Sequence, residues 1–254
     1  MGAGATGLSF AWRLAKQRTD LEILVLERGG YIDQRHGPSL SDDWELALQR
    51  QFHANPNVRR NTADYPVDET ATPIKPAFFN AVGGSPIRWG AHFPRFRPSD
   101  FEVQSLDGVA ADWPISYETL VPYMDINDSI MGVSGLAGDP GNPPRNERPH
   151  TPLGSCTGSL RLAKAANRLG WHWWPADAAI NSTNAEPGRH GCNNCGPCGM
   201  GCPRHARASA DIAYLARAQE AGVKLSTHNV VRKIITKGGA ATGVETINID
   251  GRTE

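Results

Sequence analysis

The chain has 254 residues, 39% of them hydrophobic, and its 26 basic and 26 acidic residues give a formal net charge of zero at pH 7. This composition predicts a folded globular protein and excludes an intrinsically disordered one. Neutrality without long runs of like charge argues against nucleic acid or an anionic membrane surface as partner, and the longest aliphatic run is too short to span a membrane. A small-molecule ligand agrees better with these properties.

The first residues carry a glycine pattern typical of dinucleotide binding. Gly2, Gly4 and Gly7 form a G-x-G-x-x-G run. In such a run the first glycine makes a strand-to-helix turn, the second admits the pyrophosphate, and the third lets the helix pack on the sheet. The turn normally follows a β-strand, and none precedes Gly2, so we expect the motif to be cut at its N-terminal side.

A helix and a strand are predicted directly after the run. Apolar residues at 8, 11, 14 and 15 recur at helical spacing, and EILVLE at 22–27 is typical of a buried strand. Glu27 ends this strand about twenty residues after Gly7, where a Rossmann-type site places the carboxylate that binds the adenosine ribose. Together these features predict a dinucleotide site, and the charge of Glu27 disfavours a 2′-phosphate.

The remaining elements are predicted from periodicity and turn signals. Helices are predicted at 41–52, 117–131, 160–169 and 211–221, and strands at 223–227, 230–236 and 242–249. Gly238 and Gly239 link the last two strands as a hairpin, and Asp250-Gly251 signals another turn. We therefore expect the sequence to be cut inside a motif at its C-terminal side as well.

The stretch NAVGGSPIRWGAHFPRFRPSDFE at 80–102 combines a glycine pair with aromatic residues and three arginines. Gly83 and Gly84 permit a close approach of the backbone to a ligand. Taken alone, the stretch is more typical of a surface turn, with Trp89 as an ordinary core aromatic residue.

Four of the five cysteines lie close together, which argues for a shared ligand over a secreted disulfide framework. They are Cys192, Cys195, Cys198 and Cys202, and with the following proline they match the C-x2-C-x2-C-x3-C-P spacing of bacterial ferredoxins. An iron–sulfur cluster and a cysteine-rich structural turn both stay open, since spacing alone does not establish ligation; the short spacing argues against zinc. Cys156 stands apart and is interpreted as a buried small residue.

Taken together, GAGATG, LVLERGG, the 80–102 stretch and CNNCGPCGMGCPRHARAS resemble, across nearly the whole chain, the glucose-methanol-choline (GMC) oxidoreductases, flavoenzymes that oxidise alcohols and sugars. The resemblance implies an α/β fold: an incomplete Rossmann-like FAD-binding domain with a long α+β and loop insertion and a C-terminal β-meander. It assigns 1–30 and 203–254 to the FAD-binding domain. The inserted segment is then 31–202, with a flavin-contacting loop at 80–102 and a cysteine-rich loop at 192–202.

The resemblance also implies which residues contact FAD. They are Gly2, Gly4 and Gly7 at the pyrophosphate, Glu27 at the adenosine ribose, Gly83, Gly84 and Ser85 at the flavin and ribityl chain, Trp89 and Gly90 beside the isoalloxazine, and Val231, through its backbone, at the adenine. Pro86 and Arg88 depart from the pattern of many members and are closer to the sugar-dehydrogenase and pyranose-oxidase branches. Arg88 stands where pyranose oxidases carry a flavin-linked His, so a covalent flavin is not expected.

The implied function is hydride transfer from the CH-OH group of an alcohol, sugar or polyol to FAD, with an electron-acceptor protein or cytochrome subunit as a further partner. The family's catalytic His region is absent from this chain, so none of its eight histidines is assigned as catalytic and the chain is expected to be inactive alone. The alternatives are an iron–sulfur electron-transfer module or subunit of a dehydrogenase complex, and an NAD-binding reductase, which the long excursion after Glu27 disfavours. Localisation stays open between cytoplasm and periplasm.

Overall fold

The chain forms two compact units in the structure, a computed structural model that describes residues 2–32, 43, 45–46, 49–50, 52–184 and 187–249. The first unit comprises residues 1–90 and 195–254, and the second comprises 91–194. Residues 52–90 and 195–202, assigned above to the insertion, thus belong to the unit that contains the glycine run. The loop after residue 80 can therefore be described together with that run.

The helices and strands of the described residues are numbered in chain order. Helices α1 to α6 are Ala5–Gln17, Pro56–Arg59, Val103–Asp107, Tyr117–Met131, Thr157–Arg168 and Ala216–Glu220. Strands β1 to β4 are Leu24–Leu26, Lys224–Ser226, Asn229–Lys237 and Ala240–Asn248. Short 3-10 helices cover Ser85–Arg88, Pro98–Phe101 and Cys198–Met200, and a π-helical turn, Asp211–Leu215, leads into α6.

Helix α1 confirms the helix predicted after the glycine run. Leu8 and Ala11 are fully buried and Ala15 nearly so, at the spacing that puts them on one face. That face packs against the π-helical turn and α6, where the rings of Trp12 and Tyr214 meet edge to face with centroids 5.7 Å apart. Burial of this apolar stripe, more than helix propensity, stabilises α1.

The first unit has two pairs of strands among its described residues. Strands β1 and β2 are parallel, with Val25 opposite Leu225, and β3 and β4 form an antiparallel hairpin. The hairpin turns at Gly238 and Gly239, whose positive φ angles of 59° and 81° suit glycine. The strand predicted at 223–227 therefore pairs with β1, and only the last two predicted strands pair with each other.

The second unit is organised around α4, which has the predicted limits. The Ser116 side chain caps its N-terminus by accepting the Thr119 N–H, and Gly132 ends it with a φ of 65°. Ion pairs hold the neighbouring segments: Arg95 lies 2.5 Å from Asp125 and 2.6 Å from Asp128. A second set joins Asp177 to Arg145 and Arg148, and burial raises the pKa of both Asp128 and Asp177.

Helix α5 begins at Thr157, earlier than predicted, because Cys156 caps it. The Cys156 Sγ accepts the N–H of Ser159 at 3.4 Å, and the thiol is exposed to solvent. The interpretation of Cys156 as a buried residue is therefore wrong. Half of the residues of the helix predicted at 41–52 lie outside the described residues, as does the turn at Asp250-Gly251. No helix of the described segments is long and apolar enough to cross a membrane.

Candidate cofactor site

The glycine run forms a turn that is tied to the end of β1 by Glu27. One carboxylate oxygen of Glu27 accepts the Ala3 N–H at 2.8 Å, and the other accepts the Gly29 N–H at 2.8 Å. Glu27 is only 7% exposed, and a Cβ on Gly2 would lie 3.1 Å from its carboxylate. The acid predicted to bind ribose thus also holds the turn in place. Because each carboxylate oxygen has two acceptor sites, capacity for a ribose hydroxyl is left.

Residues 80–90, hereafter the glycine-pair loop, lie directly against this turn. The N–H of Gly83 donates to the carbonyl of Ala3 at 2.8 Å, and a Cβ on Gly84 would come within 2.8 Å of the Cα of Gly4. Gly83 and Gly84 have φ angles of 104° and 65°, which L side chains rarely adopt. Both glycines are therefore required by conformation, and Gly84 also by the close packing of two backbones.

Between the turn and the loop lies a groove of about 510 Å³, within the usual size range of small-molecule sites. Six of the residues predicted to contact FAD line it: Gly2, Gly4, Gly7, Glu27, Gly84 and Ser85. The structure thus brings residues from three distant parts of the sequence together around one groove.

The other predicted contact residues do not line this groove. Gly83 lies beneath it, where a Cβ would meet the Asp211 carboxylate at 2.5 Å. The Trp89 side chain instead donates its Nε1–H to the Ala208 carbonyl at 2.8 Å. Val231 lies in β3 opposite Thr246, and a Cβ on Gly90 would meet no atom within 4 Å. Their contacts with FAD stay predictions.

Sequence reasoning missed several residues of the groove. Thr6, Tyr65, Phe78, Phe79 and Asn80 also line it. The rings of Tyr65 and Phe78 are stacked with centroids 5.2 Å apart, and the Arg28 guanidinium lies 4.9 Å from the centre of the Tyr65 ring. Thr6 lies inside the glycine run and Asn80 begins the 80–102 stretch, and the signal for Phe78 and Phe79 was the aromatic pair immediately before Asn80.

One arginine, Arg88, belongs to the glycine-pair loop, and a second, Arg207, contacts the loop. Arg207 is fully buried, and burial lowers its pKa. Arg88 packs over the Phe52 and Phe79 rings; burial, followed by the charges of Arg207 and Arg59, lowers the pKa of Arg88 to about 10. Acids lie next to two of these arginines, since Arg59 is paired with Asp64 at 2.5 Å and the charge of Asp211 acts on Arg207.

The residues of the groove fit an adenine dinucleotide. The first turn of α1, from Ala5, opens onto it, and N–H groups at a helix N-terminus bind phosphate oxygens. That turn contains no acidic residue to repel a diphosphate. Gly4 and Gly84 pack backbone against backbone and present no side chain to the groove, and Glu27 would supply the ribose acceptor. The turn, the acid and the glycine-pair loop are therefore suited to hold FAD.

The four clustered cysteines do not form a metal site among the described residues, since no group of three or more His, Cys, Asp or Glu side chains there is arranged to hold a metal ion. The Sγ of Cys202 accepts the backbone N–H of Arg207 at 3.4 Å. The predicted iron–sulfur cluster thus finds no support in this arrangement.

Two family models match the chain. Residues 158–254 match the GMC oxidoreductase family, and residues 1–60 match the NAD(P)-binding Rossmann-like domain. A 2-methyl-1,2-propanediol dehydrogenase of Mycolicibacterium austroafricanum is 37% identical over 100% of this chain and 45% of its own length. The fructose dehydrogenase large subunit of Gluconobacter japonicus is 32% identical over 91% of this chain and 44% of its own length.

Solved structures show the same fold. Pyridoxine 4-oxidase from Mesorbium loti matches all of this chain and 46% of its own chain, with a TM-score of 0.60 and 18% identity. An FAD-dependent oxidoreductase from Chaetomium thermophilum matches with a TM-score of 0.58 and 17% identity, over 42% of its own chain. This chain thus spans less than half the length of these relatives.

The fold and the groove define a Rossmann-like dinucleotide-binding domain. The chain belongs to the GMC oxidoreductase family, as the sequence motifs predicted.

Proposed function

We propose that this chain binds FAD and serves an enzyme that oxidises the CH-OH group of an alcohol, sugar or polyol. The observation that carries the proposal is the groove in which the glycine run, Glu27 and the glycine-pair loop meet. The names of the relatives support the substrate class, because they include dehydrogenases of a diol and of fructose and a gluconate 2-dehydrogenase flavoprotein. The particular alcohol is not part of the proposal.

Each wall of the groove has a separate task in this proposal. The N-terminal turn of α1 binds the diphosphate through backbone N–H groups, and Glu27 accepts hydrogen bonds from the adenosine ribose. Gly84 and Ser85 lie against the ribityl and flavin end. The bound flavin supplies the hydride acceptor of the reaction.

An electron-acceptor protein or cytochrome subunit is the further partner that we propose. The support is that one relative, the fructose dehydrogenase protein, is named as a large subunit. An iron–sulfur cluster is not proposed, since no described group of side chains is arranged to hold a metal.

Anaerobic flavin reduction tests the proposed function. Because this chain is expected to be inactive alone, the test uses the purified holoenzyme that contains it, which is mixed with diols, aldoses, ketoses and sugar acids while the flavin absorbance is followed. We expect at least one alcohol to bleach it, and deuterium on the carbinol carbon to slow the bleaching, because that C–H bond breaks. A flavin that no alcohol reduces, but that NADH does, contradicts the proposal and favours the reductase.

A further inference from the structure

Arg207 contacts the glycine-pair loop from the side of the protein core. Its Nη1 donates to the carbonyl of Pro86 at 2.6 Å and its Nη2 to the carbonyl of Ile87 at 2.8 Å. Both carbonyls belong to the 3-10 helix Ser85–Arg88, which starts at a residue that lines the groove. The guanidinium thus bonds to the part of the loop that directly continues the groove wall.

Packing alone does not explain an arginine at this place. Its side chain is fully buried, and removing a guanidinium from water costs free energy that an apolar side chain of similar size avoids. The planar guanidinium has donors in a fixed fork, and here two of them meet adjacent carbonyls. An ammonium has no such fork, so the contact selects arginine over lysine.

The residues after Arg207 contact the loop as well. The Ala208 carbonyl accepts the Trp89 Nε1–H at 2.8 Å. The Asp211 carboxylate lies so close to Gly83 that a Cβ there would be 2.5 Å from it, and it accepts the Ser209 hydroxyl at 2.5 Å. Residues 207–211 therefore lie against the loop at Gly83, at Pro86 and Ile87, and at Trp89.

We propose that Arg207 is a positioning residue for the cofactor, which fixes the carbonyls of Pro86 and Ile87 and thereby sets the groove wall at Gly84 and Ser85. This inference rests on the proposed function, since it takes FAD as the occupant of the groove. In this role Arg207 acts through the loop and does not touch the cofactor. The loop is then ordered before FAD binds, so that binding does not have to order it.

The test compares Arg207→Lys with wild type in the purified flavoprotein. Lysine keeps the positive charge and removes the fork. We expect FAD to bind about tenfold more weakly, which corresponds to about 1.4 kcal/mol, and the visible circular dichroism of the bound flavin to change. Arg189→Lys is the matched control, since Arg189 is a buried arginine that donates to the adjacent carbonyls of Ile130 and Met131 in the second unit. It should leave affinity and dichroism as in wild type.

An Arg207→Lys protein with the FAD affinity and flavin dichroism of wild type overturns the inference and leaves the proposed function standing. A wild-type protein that binds no FAD overturns both the inference and the proposed function. An equal loss in both lysine variants also overturns it, because the effect would then be general destabilisation.

Hydrogen exchange of the wild-type loop decides the question should Arg207→Lys fail to fold. We expect peptides over 83–90 to exchange slowly both with FAD and after the flavin is stripped. Exchange in the stripped protein at the rate of an unstructured peptide overturns the inference.

Discussion

The backbone N–H of Gly83 donates to the carbonyl of Ala3 at 2.8 Å, and this bond joins two segments that lie far apart in the sequence. Ala3 is in the turn of the glycine run, and its own N–H donates to Glu27. The turn of the glycine run, the end of β1 and the glycine-pair loop are thus joined by hydrogen bonds. A change at any of the three is expected to affect the groove as a whole.

Gly84→Ala should weaken FAD binding by about tenfold or more. Gly84 has φ 65° and ψ −157°, a conformation essentially limited to glycine that costs another residue about 1–3 kcal/mol, and the alanine Cβ would lie 2.8 Å from the Cα of Gly4. Fluorescence titration with FAD and thermal unfolding measure the two effects. Gly222→Ala is the control, because Gly222 has a φ of 90° but open space for a Cβ. It should lower the Tm by several degrees and leave FAD affinity intact; equal affinity losses in both variants would refute the packing argument.

Glu27→Gln should destabilise the first unit by about 1–3 kcal/mol and weaken FAD binding. The amide group would place a donor opposite the N–H of Ala3 or Gly29, and one buried donor would then lose its acceptor. Urea unfolding measures the change. Glu22→Gln, at the exposed residue paired with Lys224, should change stability by less than about 0.5 kcal/mol. A Glu27 variant as stable as wild type would show that the carboxylate does not hold the turn.

His150 should make the second unit less stable in acid. Burial, followed by the charge of Arg189, lowers the pKa of His150, so its stabilising effect is present above the unfolded pKa of about 6.5 and is lost as pH falls through the folded value. Between about pH 7.5 and about 5.5 the Tm of wild type should fall more than that of His150→Gln. Identical falls in the two proteins would rule out this contribution.

The Cys156 thiol should react with iodoacetamide at a lower pH than an ordinary thiol. Hydrogen bonds from the side chain and backbone of Ser159 lower the pKa of this exposed cysteine, and the thiolate is the reactive form. Mass spectrometry of the Cys156 peptide gives the rate as a function of pH. Ser159→Ala should move the midpoint upward, and a midpoint that does not move would exclude the side-chain bond as a cause.

Sequence patterns within a short window predicted the elements that apolar spacing and capping residues determine. The buried stripe of α1 follows from apolar spacing, and the limits of α4 follow from Ser116 and Gly132. The start of α5 was missed because cysteine is not among the usual capping residues, although the Cys156 Sγ here accepts the Ser159 N–H as a serine oxygen would.

The groove itself could be predicted only in part. The glycine run and Glu27 share one strand–turn–helix pattern, so spacing was enough to join them. The contact between Gly84 and Gly4 depends on tertiary packing, and so does the fork of Arg207. No pattern within a short window encodes either contact. The cysteine motif shows that spacing can also mislead. Its spacing is that of a ferredoxin cluster, but no described side chains are arranged to hold a metal.

Cofactor titration tests most directly the central claim, that the groove is an FAD site built for the adenosine diphosphate half. The flavin-stripped protein is titrated with FAD and with FMN, and ADP is added as a competitor. We expect FAD to bind at least about 100-fold more tightly than FMN, because in the proposed function α1 and Glu27 bind the half that FMN lacks, and we expect ADP to displace FAD. Equal affinities for FAD and FMN, with no competition by ADP, would contradict the account.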